Sequence, residues 1–244
     1  MSIYSELFCK KANKQIAILV DPDKGNDAHF AEIAQTAQQS AVDYIFVGGS
    51  LLTKDNMDTC IETIKKYFFA PVILFPGNTL QISKKADAIL LLSLISGRNA
   101  ETLIGKHVMA APYLKQTSLE IISTGYMLIE SGTMTSVQYM SNSLPIPADK
   151  SSIAVCTAMA GEMLGLKVIY MDAGSGAKHP IPAEMIALVK QNISSPLIIG
   201  GGINTIEKAL TACHAGADII VVGNAAEKNP QLISEIANQV HSIK

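Results

Sequence analysis

Three short segments of this chain combine small residues with groups that could act on a substrate. Residues 170–176 (YMDAGSG) place one carboxylate, Asp172, directly before small residues, so a substrate could approach the backbone beside a proton acceptor. Residues 199–204 (IGGGIN) and 222–224 (VGN) would present glycine N–H groups of the kind that bind phosphate oxygens. Turn glycines alone could have this composition, but its recurrence favours a phosphate site close to Asp172.

A second polar group lies near the start of the chain. Asp21, Asp23 and Lys24 follow the first apolar run, and Ser50 follows the second. One or two carboxylates with a hydroxyl are ligands that Mg²⁺ accepts, the remaining positions being water and substrate phosphate oxygens. Asp-Pro is also a common turn pair, and Ser50 could cap a helix, so a structural role stays open. Two separated anion sites would imply two phosphorylated substrates or one long one.

The elements that position these residues are short apolar runs, predicted to be β-strands buried on both faces. Eight such runs occur, at residues 15–20, 44–47, 71–75, 88–92, 125–129, 167–171, 196–199 and 218–222. Helical patterns occur at about residues 28–40, 55–67, 149–164, 182–192, 205–215 and 229–241. Such alternation predicts either an open doubly wound sheet or a closed barrel. Eight strands without a G-x-G-x-x-G segment after the first favour a modified TIM (β/α)8 barrel, whose strand ends meet at one mouth.

Two connections depart from this alternation. Residues 76–85 (PGNTLQISKK) are too few for a full crossover helix, so a short or irregular segment should replace one helix. Residues 131–150 (SGTMTSVQYMSNSLPIPADK) form an unusually long polar loop, which predicts a lid, a binding loop or an oligomer contact. Tyr139 in this loop is a candidate subunit contact, because aromatic residues are enriched at interface centres. Neither connection resembles a domain linker, so residues 1–244 are expected to form a single barrel domain.

Composition excludes several classes of protein. With 48% hydrophobic and 16% charged residues the chain should fold, and a net charge of −2 without basic clusters argues against nucleic-acid binding. The cysteines Cys9, Cys60, Cys156 and Cys213 lie far apart, which predicts free thiols rather than a zinc site or disulfides. No leader peptide and no apolar run of roughly 20 residues is evident, so a soluble, cytoplasmic protein is expected.

Taken together, the motifs resemble those of the geranylgeranylglyceryl phosphate synthases. The resemblance is carried in order by residues 20–24 (VDPDK), 46–50 (FVGGS), 135–141 (TSVQYMS), 145–147 (PIP), 170–176, 199–203 and 222–224, over nearly the whole chain. It implies a Mg²⁺-dependent prenyltransferase that moves a polyprenyl group, geranylgeranyl being expected, from its diphosphate to the C3 hydroxyl of sn-glycerol 1-phosphate. The products would be an ether-lipid precursor and pyrophosphate.

The resemblance also implies the roles of individual residues. The positions for metal and diphosphate fall on Asp21 and Ser50. Those that contact sn-glycerol 1-phosphate fall on Tyr170, Met171, Asp172, Ala173, Gly174, Ser175, Gly176, Gly201, Gly202, Gly223 and Asn224. The family fold is a barrel with one helix replaced by a shorter element, and its members are often dimers or hexamers, so a homo-oligomer is expected.

Asp172 is the candidate catalytic base, since formation of the ether requires removal of the hydroxyl proton. Glutamate is common at this position in the family, so the shorter aspartate must reach the hydroxyl directly or through a water molecule. An apolar trough would hold the prenyl tail away from water, with Phe75, Leu91 and Tyr113 as candidate lining residues. An apolar donor and product also suggest transient membrane contact, although no basic amphipathic helix indicates it.

Two other functions fit the glycine segments. Phosphosugar isomerases and phosphate-anchored synthases share such loops after the seventh and eighth strands, and fold alone does not separate them. A non-catalytic sensor of a phosphorylated metabolite would bind without turnover. Neither needs a site for a long apolar tail, so binding of a long-chain prenyl diphosphate distinguishes the prenyltransferase from both.

Overall fold

The strands of this chain form a closed barrel of eight parallel strands in sequential order. The computed structural model describes residues 2–5 and 13–243, except for the side chain of Lys228. The strands are β1 Gln15–Val20, β2 Tyr44–Val47, β3 Val72–Leu74, β4 Ala88–Leu94, β5 Glu120–Leu128, β6 Val168–Asp172, β7 Leu197–Gly200 and β8 Ile219–Val222. The barrel closes where β1 pairs with β8, Gln15 lying opposite Ile219. The predicted TIM-barrel architecture is confirmed.

Helices cover the outside of the barrel. They are α1 Asp27–Gln39, α2 Met57–Tyr67, α3 Lys106–Leu114, α4 Ser136–Ser141, α5 Ser151–Met163, α6 Ala183–Asn192, α7 Ile206–His214, α8 Asn224–Lys228 and α9 Gln231–His241. A 3-10 turn, Pro22–Lys24, follows β1, and a π-helical turn, Glu101–Gly105, leads into α3. Helix α3 escapes the sequence pattern because Pro112 lies inside it, and α4 and α8 are too short to show a helical period.

Side chains of the strands alternate between two apolar layers, as the pleat of a strand requires. Tyr44, Phe46 and Tyr170 point into the barrel, where they pack with small aliphatic residues. Their neighbours Ile45 and Met171 point outward and pack beneath the helices. The inner layer therefore supports the floor of the mouth, and the outer layer attaches the helices.

No helix connects β3 to β4. Residues 75–87, all of which the structure describes, form turns and extended segments instead. This confirms the expected replacement of one helix, and it leaves the outer face of β4 uncovered on one side. That opening becomes part of the site described below.

The cysteines that the structure describes are free thiols, as expected: Cys60 and Cys213 are buried and Cys156 is exposed, whereas Cys9 lies outside the described residues. Burial raises the pKa of the Cys60 thiol to about 12. Within the described residues, no helix has both the length and the apolar character needed to cross a membrane.

Candidate active site

A cavity of about 950 Å³ opens at the carboxyl ends of the strands. One half of its wall is polar and includes Asp21, Lys24, Ser50, Asp172, Ser175, Asn224 and the glycines that follow β6, β7 and β8. The other half is mostly apolar and includes Phe75, Ile82, Leu91, Ala110, Leu114 and Val137, although Lys106 and His107 also line the cavity from the helix that carries Ala110. One cavity can therefore hold a molecule with an anionic head and a long apolar tail.

Asp172, the last residue of β6, lies between the two halves of the cavity. Asp172 is only 7% exposed, and its carboxylate accepts two hydrogen bonds, from the Tyr126 hydroxyl at 2.6 Å and from the Gly174 N–H at 2.7 Å. Burial raises the pKa of the Asp172 carboxyl, and the two hydrogen bonds act in the opposite direction. The result is a carboxylate that is held in place and is more basic than an exposed aspartate.

Aromatic rings pack beside this carboxylate. Phe75 stacks on Tyr170 with a centroid distance of 5.1 Å, and Tyr126 lies 5.5 Å from Tyr170 and 6.0 Å from Phe75. Burial raises the pKa of both tyrosines, with the Asp172 charge adding to the effect, so both stay protonated. The rings lie beside Asp172 in the cavity wall, at the boundary between its polar and apolar halves.

The glycine segments bring bare backbone to the polar half. Gly174, Gly176, Gly201 and Gly202 have φ values of +87°, +80°, +79° and +71°, which side chains rarely adopt. A Cβ on Gly201 would lie 2.6 Å from the Gly174 nitrogen and 2.7 Å from Asp172 Oδ1. Within the described residues, the N–H groups of Gly176, Gly202 and Ile203 make no hydrogen bond to the protein. These donors can receive phosphate oxygens next to Asp172.

Asp21 belongs to a charged group at the mouth, beside the loop that follows β8. The Lys24 ammonium lies 3.2 Å from Asp21 Oδ2, 3.6 Å from Glu227 Oε2 and 2.8 Å from Asn224 Oδ1. Glu227 also accepts a hydrogen bond from the Asp21 N–H at 2.9 Å, and Asn224 donates one to Ser175 Oγ at 3.0 Å. Asn224 therefore links this group to the glycine segment that follows β6.

Asp23 does not join this group, although the sequence places it beside Asp21. Its carboxylate accepts hydrogen bonds from the Thr53 N–H and hydroxyl and from the Lys54 N–H. These contacts lower the pKa of Asp23 against the opposing effect of burial. Asp23 therefore ties the turn after β1 to the loop after β2 and does not face the cavity.

Asp21 and Ser50 both line the cavity, on the loops that follow β1 and β2, and a carboxylate and a hydroxyl are among the ligands that Mg²⁺ accepts. A carboxylate and a hydroxyl leave the remaining positions to water and diphosphate oxygens. A Cβ on Gly49 would lie 3.3 Å from both carboxylate oxygens of Asp21, so glycine keeps that side of the carboxylate open. No cluster of three or more His, Cys, Asp or Glu side chains exists among the described residues.

The apolar half runs along the outer face of β4, where the missing helix leaves room. Leu91 of β4 and Ala110 and Leu114 of α3 line this trough, and Phe75, which stacks on Tyr170, lines the same cavity. The expectation that Tyr113 lines the trough is wrong, because Tyr113 is 68% exposed and does not line the cavity. The helical period places Ala110 and Leu114 on the inner side instead.

Most of the expected site residues line the cavity, with two exceptions. The side chains of Met171 and Ala173 point outward into the layer beneath the helices, since they alternate with Tyr170 and Asp172. They can contribute only backbone groups. Tyr126 and Glu227 were missed, because a tyrosine inside a strand and a glutamate inside a short helix carry no local signal of function.

The PcrB family model matches residues 10–240 of the chain. A geranylgeranylglyceryl phosphate synthase of Chitinophaga pinensis is 54% identical over 242 residues, covering 98% of this chain and 96% of that protein. A protein of the same description from Methanosphaera stadtmanae is 39% identical over 234 residues, covering 95% and 96%.

Solved structures give the same result. The structure of (S)-3-O-geranylgeranylglyceryl phosphate synthase from Thermoplasma acidophilum in complex with sn-glycerol-1-phosphate has a TM-score of 0.94 and 33% identity, with both chains covered completely. The thiamine phosphate pyrophosphorylase of Pyrococcus furiosus, at 15% identity and a TM-score of 0.59, shares the fold alone.

Proposed function

The chain belongs to the PcrB family, and from that premise we propose that it transfers a polyprenyl group from a prenyl diphosphate to the C3 hydroxyl of sn-glycerol 1-phosphate. The observation that carries this proposal is the position of Asp172. Its carboxylate lies at the boundary between the free N–H groups of the glycine segments and the apolar trough. A base is needed at that boundary, because the acceptor hydroxyl and the reacting prenyl carbon must meet there.

The acceptor would bind with its phosphate on the glycine segments. The N–H groups of Gly202 and Ile203, together with those after Gly223, would hold the phosphate oxygens, and Ser175 would contribute its hydroxyl. Asn224 would contribute its side-chain amide, already joined to Ser175. This arrangement directs the C3 hydroxyl toward Asp172 and away from solvent.

The reaction would then proceed by transfer of one proton and formation of one bond. Asp172 takes the proton of the C3 hydroxyl as the oxygen bonds to the first prenyl carbon and the bond from that carbon to the diphosphate oxygen breaks. Pyrophosphate leaves with the electron pair of that bond. The faces of Tyr170 and Phe75 exclude water from the allylic carbon and can stabilise its partial positive charge.

We further propose that Asp21 and Ser50 hold Mg²⁺ when the diphosphate is bound. The ion would neutralise charge that develops on the leaving pyrophosphate. Lys24 adds a fixed positive charge on the same side of the mouth. Asp21 is kept in place for this role by its own N–H, which donates to Glu227.

A homo-oligomer, a dimer or a hexamer, is part of the same proposal. Support comes from exposed apolar side chains on the outside of the barrel, namely Val108 and Met109 of α3 and Met163 and Leu164 at the end of α5. Exposed apolar patches of this kind are typical of subunit contacts. Tyr139, also exposed, is the candidate contact from the long loop.

We also propose a cytoplasmic enzyme that touches the membrane transiently to collect its donor or release its product. Residues 48–53, 75–83 and 131–148 contain no charged side chain, and all three segments border the cavity. Leu51, Leu80 and Leu144 within them are exposed. An uncharged, partly apolar rim suits brief contact with lipid.

The test is a Mg²⁺-dependent assay with radiolabelled sn-glycerol 1-phosphate and a ladder of prenyl diphosphates of increasing length. Radioactivity should pass into an organic-soluble ether, and the ladder ranks the donors. Phosphate binding without transfer from any donor would instead favour another phosphate-binding barrel enzyme or a sensor.

A further inference from the structure

A buried glutamine joins two loops at the diphosphate end of the cavity. Gln81 is 2% exposed, and its side chain makes three hydrogen bonds. Its Oε1 accepts from the Gly77 N–H at 3.0 Å and from the Gly49 N–H at 3.3 Å. Its Nε2 donates to the Gly49 carbonyl at 2.8 Å. One side chain thus satisfies backbone groups of the loop after β2 and of the loop after β3.

The two loops that Gln81 joins are in direct contact through glycines. A Cβ on Gly77 would lie 2.3 Å from the Gly49 carbonyl oxygen and 2.9 Å from the Cα of Ser50. On its other side, Gly49 packs against the Asp21 carboxylate. Gln81, Gly49 and Asp21 therefore form a continuous line of contacts, with Ser50 attached to its middle member. The spacing between Asp21 and Ser50 depends on where Gly49 is held.

The segment without a helix explains how Gln81 reaches this position. After β3 the chain makes a tight turn in which the Leu80 N–H donates to the Asn78 side chain at 2.8 Å and the Gln81 N–H donates to the Asn78 carbonyl at 3.2 Å. This turn brings the Gln81 side chain back against the loop that follows β3. A crossover helix starting at residue 76 would carry residue 81 along its axis and away from Gly49.

We infer that Gln81 is a positioning residue that holds the Gly49–Ser50 peptide against Asp21 and so fixes the pair of groups that binds the metal–diphosphate. This inference rests on the proposed function, since it assigns the diphosphate to that end of the cavity. Gln81 lies outside the cavity wall and touches no substrate. Gln81 acts through Gly49 and Gly77. Its loss should therefore weaken binding of the prenyl diphosphate and leave binding of sn-glycerol 1-phosphate unchanged.

The test compares Gln81→Met with Gln15→Met. Gln15 is a matched control, because it is also 2% exposed and its side chain donates a hydrogen bond to the Tyr44 hydroxyl. Gln15 and Tyr44 are the first residues of β1 and β2, at the amino-terminal end of the strands. Binding of inorganic pyrophosphate in the presence of Mg²⁺ is measured by calorimetry, and KM is measured for each substrate. Gln81→Met should bind pyrophosphate about tenfold more weakly and raise the KM of the prenyl diphosphate by a similar factor. The KM of sn-glycerol 1-phosphate should stay within about twofold, and Gln15→Met should leave all three values within about twofold of wild type.

Wild-type pyrophosphate binding by Gln81→Met, or an equal rise in the KM of both substrates, would overturn the inference. If Gln81→Met does not fold, Gln81→Asn decides, because it keeps an uncharged amide but is one methylene shorter and cannot make all three hydrogen bonds to Gly49 and Gly77. That variant should show a smaller loss confined to pyrophosphate and prenyl diphosphate; a wild-type profile would overturn the inference. A wild-type protein that neither binds pyrophosphate nor transfers a prenyl group would contradict the proposed function itself.

Discussion

The Tyr126 hydroxyl lies 2.6 Å from Oδ2 of Asp172 and donates a hydrogen bond to it, with both side chains buried between β5 and β6. The two residues lie diagonally across the strand pair, because Tyr126 pairs with Tyr170 and Asp172 is two residues further along β6. Burial raises the pKa of Asp172, while this bond and the one from Gly174 favour the charged form. Burial therefore makes the candidate base more basic, and a residue on another strand limits that increase.

Tyr126→Phe should move the acid limb of the pH–rate profile to higher pH. Activity requires ionised Asp172, so the rate falls as pH drops through its pKa, and loss of the Tyr126 bond raises that pKa further. The measurement is kcat/KM against pH for the wild type and the variant. Tyr113→Phe, which changes an exposed hydroxyl, is the control and should keep the wild-type profile. Superimposable profiles for Tyr126→Phe would contradict the prediction.

Asp172→Asn should lower kcat by about a hundred- to ten-thousand-fold, because an amide cannot accept the hydroxyl proton. Binding of sn-glycerol 1-phosphate, measured by calorimetry, should persist in Asp172→Asn and in Asp172→Ala. Normal turnover in Asp172→Asn, with binding retained in Asp172→Ala, would show that another group is the base.

Gly201→Ala should impair both stability and binding of the acceptor. Its φ of +79° disfavours alanine, and the added Cβ would lie 2.6–2.7 Å from the Gly174 and Ala173 nitrogens and from Asp172 Oδ1. Gly165→Ala is the control, since Gly165 has a φ of +83° but nothing within 4 Å of an added Cβ. Gly165→Ala should cost about 1 kcal/mol of unfolding free energy with KM unchanged. Gly201→Ala should cost more and raise the KM of sn-glycerol 1-phosphate at least about tenfold; equal effects of the two changes would refute the placement of the phosphate.

Asp21→Asn should lower the rate and weaken the dependence on Mg²⁺, because the amide is a poorer ligand for a hard cation. Asp23→Asn tests the specificity of that effect, since its carboxylate binds Thr53 and Lys54 and faces away from the cavity. It should lower the melting temperature with little change in the Mg²⁺ titration. Near-normal activity of Asp21→Asn at saturating Mg²⁺ would remove Asp21 from the metal site.

Ala110→Phe should shift the donor preference toward shorter prenyl diphosphates. Ala110 is buried against the trough, so a phenyl ring there fills space that a long tail needs. Met109→Phe places the same ring on the exposed side of α3 and should leave the preference unchanged. The assay with donors of increasing length measures both; an unchanged ranking in Ala110→Phe would place the tail elsewhere.

Much of the fold follows from local sequence. Buried parallel strands read as short aliphatic runs, so all eight were located, and β1 and β2 agree with the predicted limits. The start of β5 was placed at Gly125 and lies at Glu120, because Ser123 and Thr124 interrupt its apolar pattern. Thr124 is nevertheless buried, since its hydroxyl donates to the Ile122 carbonyl at 2.9 Å. A polar residue that is hydrogen-bonded to the nearby backbone can therefore be buried in a strand, and such a strand lacks a continuous apolar pattern.

The sequence by itself determined that Asp21, Ser50, Asp172 and the glycine segments share one mouth. Each follows a strand, and parallel strands in sequential order put all their carboxyl ends on the same side. Only the tertiary structure decided which residues form hydrogen bonds with these aspartates. Tyr126 bonds to Asp172 across 46 positions, Glu227 bonds to Asp21 across 206, and Asp23 turns away from its neighbour Asp21 toward Thr53. These partners depend on strand register and on the packing of loops that are distant in sequence, neither of which is encoded in the local order of residue types.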